Sequence, residues 1–142
     1  MDWSDVGVDH GRKSAHAETT WTVGDVAQWQ PTGPVDLVLL SYLHLPVEEM
    51  TSLLTRVRGW LSDRGVLLYL GHAPRGALAG PPLELRPSLA ELAQAVSDLR
   101  VLELAHVLNR NGAGTVDIVL HAQRWAPDNA RPLTQDGRSP GH

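Results

Sequence analysis

The sequence predicts an α/β fold in which a mostly parallel sheet alternates with helices and closes with an antiparallel hairpin. Two apolar runs, Val35–Leu40 and Val66–Leu70, have the length and composition of buried strands. Helical patterns lie before, between and after these runs, as in alternating α/β folds. Near the end, the β-prone segments 101–108 and 115–124 are joined by Asn109–Gly114, which is rich in the asparagine and glycine of hairpin turns.

The first quarter of the chain predicts a helix and a short strand. Ser4 is a candidate N-cap, and the helix it begins extends to about Ala17. Thr20–Val23 is a short β-prone run that ends at the turn residues Gly24 and Asp25.

The segment Val35–His44 predicts a strand buried on both faces of a parallel sheet, because an unbroken apolar run is typical of such a strand. Ser41, Tyr42 and His44 stand at its carboxyl end, where open α/β sheets bind ligands. The segment 46–61 then predicts a helix that stops near the turn residues 62–65, since its apolar residues recur at intervals of three and four.

Val66–Leu70 predicts a second buried strand, followed by His72. The proline-rich segment 73–87 is expected to be a loop covering a site, and 88–98 a helix. Residues 1–125 therefore form one partial domain. Residues 126–142 are too polar and too rich in proline and glycine to fold, so they are expected to be a disordered tail.

Composition excludes several classes of protein. The chain has no cysteine, which excludes disulfides and thiolate nucleophiles. Its net charge is -4 and its arginines form no stripe, so no nucleic-acid footprint is visible. No His, Asp and Glu spacing typical of a metal site occurs. Without an apolar run near 18 residues or a leader, a cytoplasmic protein with no membrane contact is expected.

Five segments, in order and in register over residues 1 to about 124, resemble the class I S-adenosylmethionine-dependent methyltransferases: Asp2-Trp3-Ser4, Gly24-Asp25-Val26, Val35-Asp36-Leu37-Val38-Leu39, Arg64-Gly65-Val66-Leu67 and the final hairpin. The chain is similar to the compact small-molecule branch that includes tellurite-resistance methyltransferases. The resemblance implies a Rossmann-like sheet, S-adenosyl-L-methionine as cofactor and a small-molecule methyl acceptor.

The resemblance also assigns residues to the cofactor. Asp2, beside Trp3, matches the carboxylate that accepts hydrogen bonds from both ribose hydroxyls. Asp25 matches the residue that receives the adenine amino group, with Val26 against the ring. Ser41 falls in the segment beside the methionine part of the cofactor. A solvated terminal residue and an ordinary turn are the competing interpretations of Asp2 and Asp25.

Two candidate catalytic residues follow the strand Val35–His44. His44 can take a proton from the acceptor, and Tyr42 can position an acceptor oxygen. His72, at the end of the next strand, can share the site. A surface histidine or one with a structural hydrogen bond is the competing interpretation of each. Asp36 begins its strand, away from the site, so a structural role as a cap is expected.

The sequence departs from the family pattern in one respect. It lacks the first strand, the helix after it and the acidic-x-Gly-x-Gly-x-Gly loop between them, so an N-terminally truncated fold with an unpaired edge beside Val35–His44 is expected. Three explanations are open. The chain is a fragment or begins at a misread start, a partner or second copy supplies the missing unit, or the chain is a degenerate relative.

Two functions compete. The first is methyl transfer to a small molecule, with weak or no cofactor binding by this polypeptide alone. The second is a non-catalytic interaction module on a degenerate methyltransferase fold, whose exposed sheet edge pairs with a second copy or another partner. A nucleotide-binding oxidoreductase is disfavoured by the final hairpin.

Overall fold

A computed structural model describes residues 5–14, 18–74, 81–109 and 115–125. These residues form three α-helices, four strands and one short 3-10 helix. In chain order the elements are α1 (Asp5–Ser14), β1 (Val35–Ser41), α2 (Val47–Trp60), β2 (Leu61–His72), the 3-10 helix Leu83–Leu85, α3 (Leu89–Ala95), β3 (Arg100–Leu108) and β4 (Val116–Gln123).

The four strands form one sheet in the order β1-β2-β4-β3. β1 and β2 are parallel, because the chain crosses back through α2 between them. β4 is antiparallel to both β2 and β3, so β3 and β4 form the predicted hairpin. The α/β class and the closing antiparallel hairpin are confirmed. The connecting residues 110–114 lie outside the described residues.

One continuous apolar core lies between the sheet and the helices α2 and α3. On α2 the apolar residues recur every three or four positions, which places them on one face of the helix. On β2 every second side chain points to the same core, as the pleat of a strand requires. The fully or almost fully buried members are Met50, Leu53, Leu54, Val57, Leu61, Leu67, Tyr69, Leu92, Val96, Ile118, Leu120 and Ala122.

The prediction that β1 is buried on both faces is wrong for the described residues. Leu40 on the inner face is buried, whereas Leu37 and Leu39 on the outer face are 56% and 60% exposed. The reason is that α2 and α3 cover only one face of the sheet. β1 also lies at the edge of the described sheet, with β2 as its partner.

β2 is longer than predicted, because the expected turn at residues 62–65 is part of the strand. Val35 pairs with Leu61 and Leu37 pairs with Val66, so four residues of β2 bulge out between these two pairs. Arg64 within the bulge has a positive φ of 68°. The Ser62 hydroxyl donates a hydrogen bond to the Asp36 carboxylate. Asp36 therefore has a structural contact, made to this bulge and not to a helix end.

α1 is described over Asp5–Ser14, and the predicted N-cap Ser4 and residues 15–17 lie outside the described residues. Two other predicted elements are shorter than expected. α3 covers only Leu89–Ala95 of the expected segment 88–98. Of Thr20–Val23, only Val23 forms a bridge, and the rest is irregular. A β-prone run becomes a strand only where a neighbouring strand pairs along its length. The described parts of 73–87 form a loop with one 3-10 turn.

α3 begins with a capping box. Ser88 accepts a hydrogen bond from the Glu91 backbone N–H, and the Glu91 carboxylate accepts from the Ser88 backbone N–H at 2.7 Å. These two bonds satisfy backbone donors that the first turn of a helix otherwise leaves unpaired. The Glu91 carboxylate also accepts from the Ser88 hydroxyl at 2.7 Å, and the two bonds from Ser88 to the carboxylate lower the pKa of Glu91.

Candidate functional site

The topology brings four chain segments to the carboxyl edge of the sheet, which is the end at which β1 and β2 terminate. β1 and β2 are parallel, so both end at this edge, at Tyr42 and His72. β4 runs the other way, so its start, at Asp117, lies beside the end of β2, and His72 and Asp117 are cross-strand partners. β3 ends at the same edge, just before Asn109. This edge is the one where the sequence predicts the site.

Asp117 is the centre of a hydrogen-bond network at this edge, and its side chain is buried, since the residue is only 2% exposed. One carboxylate oxygen, Oδ2, accepts from the Tyr42 hydroxyl at 2.8 Å and from Asn109 Nδ2 at 2.9 Å. The other, Oδ1, lies 3.0 Å from His72 Nδ1. Burial of a carboxylate is costly unless it is paired, and these three partners provide the pairing.

Tyr42 is fixed by hydrogen bonds of both its backbone and its hydroxyl. Its backbone N–H donates to the Leu70 carbonyl at 2.8 Å, and its hydroxyl donates to Asp117. Its φ is 49°, in the left-handed region that residues other than glycine, asparagine and aspartate rarely adopt. Such strain persists where surrounding contacts over-determine the conformation, as at functional sites. The hydrogen bond to Asp117, with burial and the negative charge of Asp117, raises the pKa of Tyr42.

His44, Tyr42 and His72 form a ring cluster. The His44 and His72 rings stack with centroids 5.7 Å apart and planes 21° apart. The Tyr42 ring lies 5.0 Å from that of His72. The structure therefore brings together both candidate catalytic residues and the histidine expected beside them.

The residues proposed for cofactor binding are less concentrated. Asp2 and Trp3 lie outside the described residues. Ser41 is exposed at the end of β1, next to Tyr42. Asp25 is exposed in a turn, where its Oδ1 accepts from the Ala27 N–H at 2.8 Å.

The turn after Asp25 is fixed to α2. The Val26 carbonyl accepts from Arg56 at 3.0 Å, and the Trp29 ring meets the Trp60 ring edge-on at 5.6 Å. Among the described residues, no hydrogen bond, ion pair or ring contact joins this turn to the ring cluster.

Sequence reasoning missed Asp117 and Asn109. One signal was present for Asp117: it is an acidic residue inside an otherwise apolar strand, and a carboxylate there needs a partner. The partner could not be named, because Tyr42 is 75 residues away in the sequence. Asn109 was assigned only to the hairpin connection.

In the ranges 5–14, 18–74, 81–109 and 115–125, no group of three or more His, Asp or Glu side chains is placed to hold a metal ion. No helix in the same ranges is long and apolar enough to cross a membrane.

No protein-family model matches the chain, and no curated protein matches it in sequence. Solved structures do match in fold. The N-methyltransferase NodS from Bradyrhizobium japonicum WM9 has a TM-score of 0.70 at 12% identity over 88% of this chain and 71% of its own. Magnesium protoporphyrin IX methyltransferase (ChlM) from Synechocystis PCC 6803, with bound S-adenosylhomocysteine, has a TM-score of 0.60 at 17% identity over 82% and 59%.

The fold is thus that of the class I S-adenosylmethionine-dependent methyltransferases, a Rossmann-like α/β fold. The same fold also serves other chemistry, since the [4+2]-cyclase SpnF matches with a TM-score of 0.63 at 15% identity over 87% of this chain and 64% of its own. The chain spans about three fifths of the length of ChlM and SpnF.

Proposed function

We propose that this chain serves S-adenosylmethionine-dependent methyl transfer to a small-molecule acceptor. The observation that carries the proposal is the convergence of Tyr42, His44 and His72 at the carboxyl edge of β1 and β2. In open α/β sheets this edge binds the ligand. Structures of NodS and ChlM, which share the fold, contain S-adenosylhomocysteine, and a second ChlM structure contains S-adenosylmethionine.

The described residues fit the cofactor in part. Asp25 uses Oδ1 in its own turn, but a carboxylate has about four acceptor sites, so its exposed side chain can also accept from an adenine amino group. Val26 lies beside it, and Ser41 is exposed at the end of β1. Asp2 and Trp3 complete the proposed set on the ribose side. The 142 residues contain no acidic-x-Gly-x-Gly-x-Gly motif, so we expect this polypeptide alone to bind the cofactor weakly.

The cofactor supplies a methyl group on a sulfonium, and the protein aligns the acceptor and excludes water. Tyr42 keeps its proton because its pKa is raised, and it uses that proton to bind Asp117. Its oxygen can still accept a hydrogen bond, which orients an acceptor hydroxyl. His44 is exposed beside His72, and its imidazole can accept a proton from the acceptor.

Calorimetric titration with S-adenosylhomocysteine tests the cofactor assignment. We expect a dissociation constant near millimolar for this chain, and micromolar affinity in a monodisperse sample would contradict the expected weakness. Asp25→Asn keeps the oxygen that accepts from Ala27 and replaces the other with a donor, which opposes an adenine amino group. It should weaken binding about tenfold, or about 1.4 kcal/mol.

Asp98→Asn is the matched control, because Asp98 forms an ion pair with Arg58 on the surface and the change should not affect binding. Equal affinities of wild type and both variants would show that Asp25 does not bind the cofactor.

A non-catalytic interaction module is the second candidate, favoured by the exposed Leu37 and Leu39 on the outer face of β1. Large apolar side chains side by side at a sheet edge are typical of an interface. The partner to test is a second copy of the chain. Leu37→Lys with Leu39→Lys should abolish self-association in sedimentation velocity if this candidate is right. A monomeric wild type would argue against a homodimer.

A further inference from the structure

We propose that Asp117 is a positioning residue that holds the His72 proton on Nδ1, so that His72 Nε2 accepts the proton of a phenolic methyl acceptor. This inference rests on the proposed methyl transfer and names its class of acceptor. It adds Asp117 to the site and gives the role of base to His72 in place of His44.

The contacts of Asp117 determine which nitrogen of His72 carries the proton. An ionised carboxylate only accepts hydrogen bonds. Its Oδ1 lies 3.0 Å from Nδ1, so in the bonded state Nδ1 carries a proton. Oδ2 is occupied by Tyr42 and Asn109, and these two donors hold the carboxylate in place. In neutral His72 the other nitrogen, Nε2, therefore has a lone pair.

Nε2 is available to a ligand. It makes no hydrogen bond to any of the described residues, and the His72 side chain is 26% exposed. The rings of Tyr42 and His44 lie beside the His72 ring, with centroids 5.0 and 5.7 Å from its centroid. A buried network that orients one nitrogen and leaves the other accessible is the arrangement a general base requires.

The chemistry of the acceptor follows from the strength of this base. Imidazole is a weak base, so it takes a proton most readily from an acidic acceptor. A phenol, with an ordinary pKa of about 10, is far more acidic than an unactivated O–H such as that of water, at about 15.7. In the transfer, the acceptor O–H bond breaks and an Nε2–H bond forms, while the O–H electron pair stays on oxygen. Asp117 stabilises the resulting imidazolium.

A purely structural latch predicts the same hydrogen bonds but requires no ligand at Nε2. The response of Nε2 to an added acceptor therefore separates the two, and long-range ¹H–¹⁵N correlation spectra report both that response and the tautomer of each histidine. In wild type we expect neutral His72 to carry its proton on Nδ1. Asp117→Asn can present an N–H to Nδ1 and should shift the tautomer ratio at least about tenfold toward Nε2–H. Tyr42→Phe leaves Oδ1 intact and should preserve the wild-type tautomer.

The probe for the acceptor is phenol, with cyclohexanol and benzylamine as matched comparisons. Phenol should shift the His72 Nε2 resonance in wild type and at least about threefold less in Asp117→Asn, in which Nε2 is protonated. A His72 that carries its proton on Nε2 in wild type overturns the proposal even if the variant does not fold. Equal shifts with cyclohexanol, or larger shifts with benzylamine, overturn the phenolic class.

Adding S-adenosylhomocysteine to the same samples separates the two proposals. If it fails to bind while the tautomer and the phenol response hold, the methyl-transfer proposal fails. If it binds but His72 carries its proton on Nε2, only the role of Asp117 fails.

Discussion

Replacement of Asp117 by alanine should destabilise the protein by about 3 kcal/mol. The change removes the acceptor of three hydrogen bonds, from Tyr42, Asn109 and His72. A hydrogen bond to a charged group contributes about 1.5–3 kcal/mol when fully buried. Tyr42 is 36% exposed and His72 26%, so water can replace part of each bond, which reduces the loss to about 1 kcal/mol per bond.

Urea unfolding followed by far-ultraviolet circular dichroism measures this loss. The corresponding fall in Tm is about 6–12 °C, at about 2–4 °C per kcal/mol for a chain near this size. Asp98→Ala is the control, because Asp98 pairs with Arg58 where both side chains are about half exposed, and such a pair contributes less than about 1 kcal/mol. If Asp117→Ala costs no more than Asp98→Ala, the network does not stabilise the sheet edge and the reasoning is refuted.

Three further changes test the packing and the electrostatics. Burial raises the pKa of Tyr69 to about 12 from its ordinary 10.0, so the unfolded chain loses this proton first as pH rises. Unfolding experiments at several pH values should therefore show about 2 kcal/mol of stability that is fully present below pH 10 and is lost by about pH 12. Tyr69→Phe should remove that part of the pH dependence. Ser88→Ala should lower the free energy of unfolding by about 1 kcal/mol, and with it the urea midpoint, and should raise the pKa of Glu91 towards its ordinary value, which carboxyl NMR measures. An unchanged midpoint would show that the capping box is not formed. Leu54→Ala should cost about 2–5 kcal/mol against less than about 1 kcal/mol for the half-exposed Leu102→Ala, and similar losses at both positions would argue against the described core.

The elements that the sequence predicted well are those that local patterns determine. The spacing of Met50, Leu53, Leu54 and Val57 places one face of α2 on the core whatever its partner is. The hairpin β3–β4 is likewise a local element, with two β-prone runs and a short connection. The meeting of the ends of β1 and β2 at one end of the sheet likewise follows from chain direction alone.

The features that were missed depend on contacts between distant segments. An apolar run does not report whether one or both of its faces are covered, so the exposure of Leu37 and Leu39 was not predicted. The bulge at residues 62–65 has the residues of a turn, and only its pairing with β1 shows that the strand continues through it. The bond between Tyr42 and Asp117 needs the register of three strands before it can be inferred.

The central claim is that the carboxyl edge of β1 binds S-adenosylmethionine. An amide ¹H–¹⁵N titration with S-adenosylhomocysteine tests it most directly, because such spectra detect millimolar binding and locate it. The account predicts saturable shifts of the amides of Asp25, Ser41, Tyr42 and His44. The amide of Trp125 should not shift, because Trp125 follows the end of β4 at the opposite end of the sheet. Unshifted amides at these four positions, or shifts confined to residues 97–100 at the opposite end of β3, would contradict it.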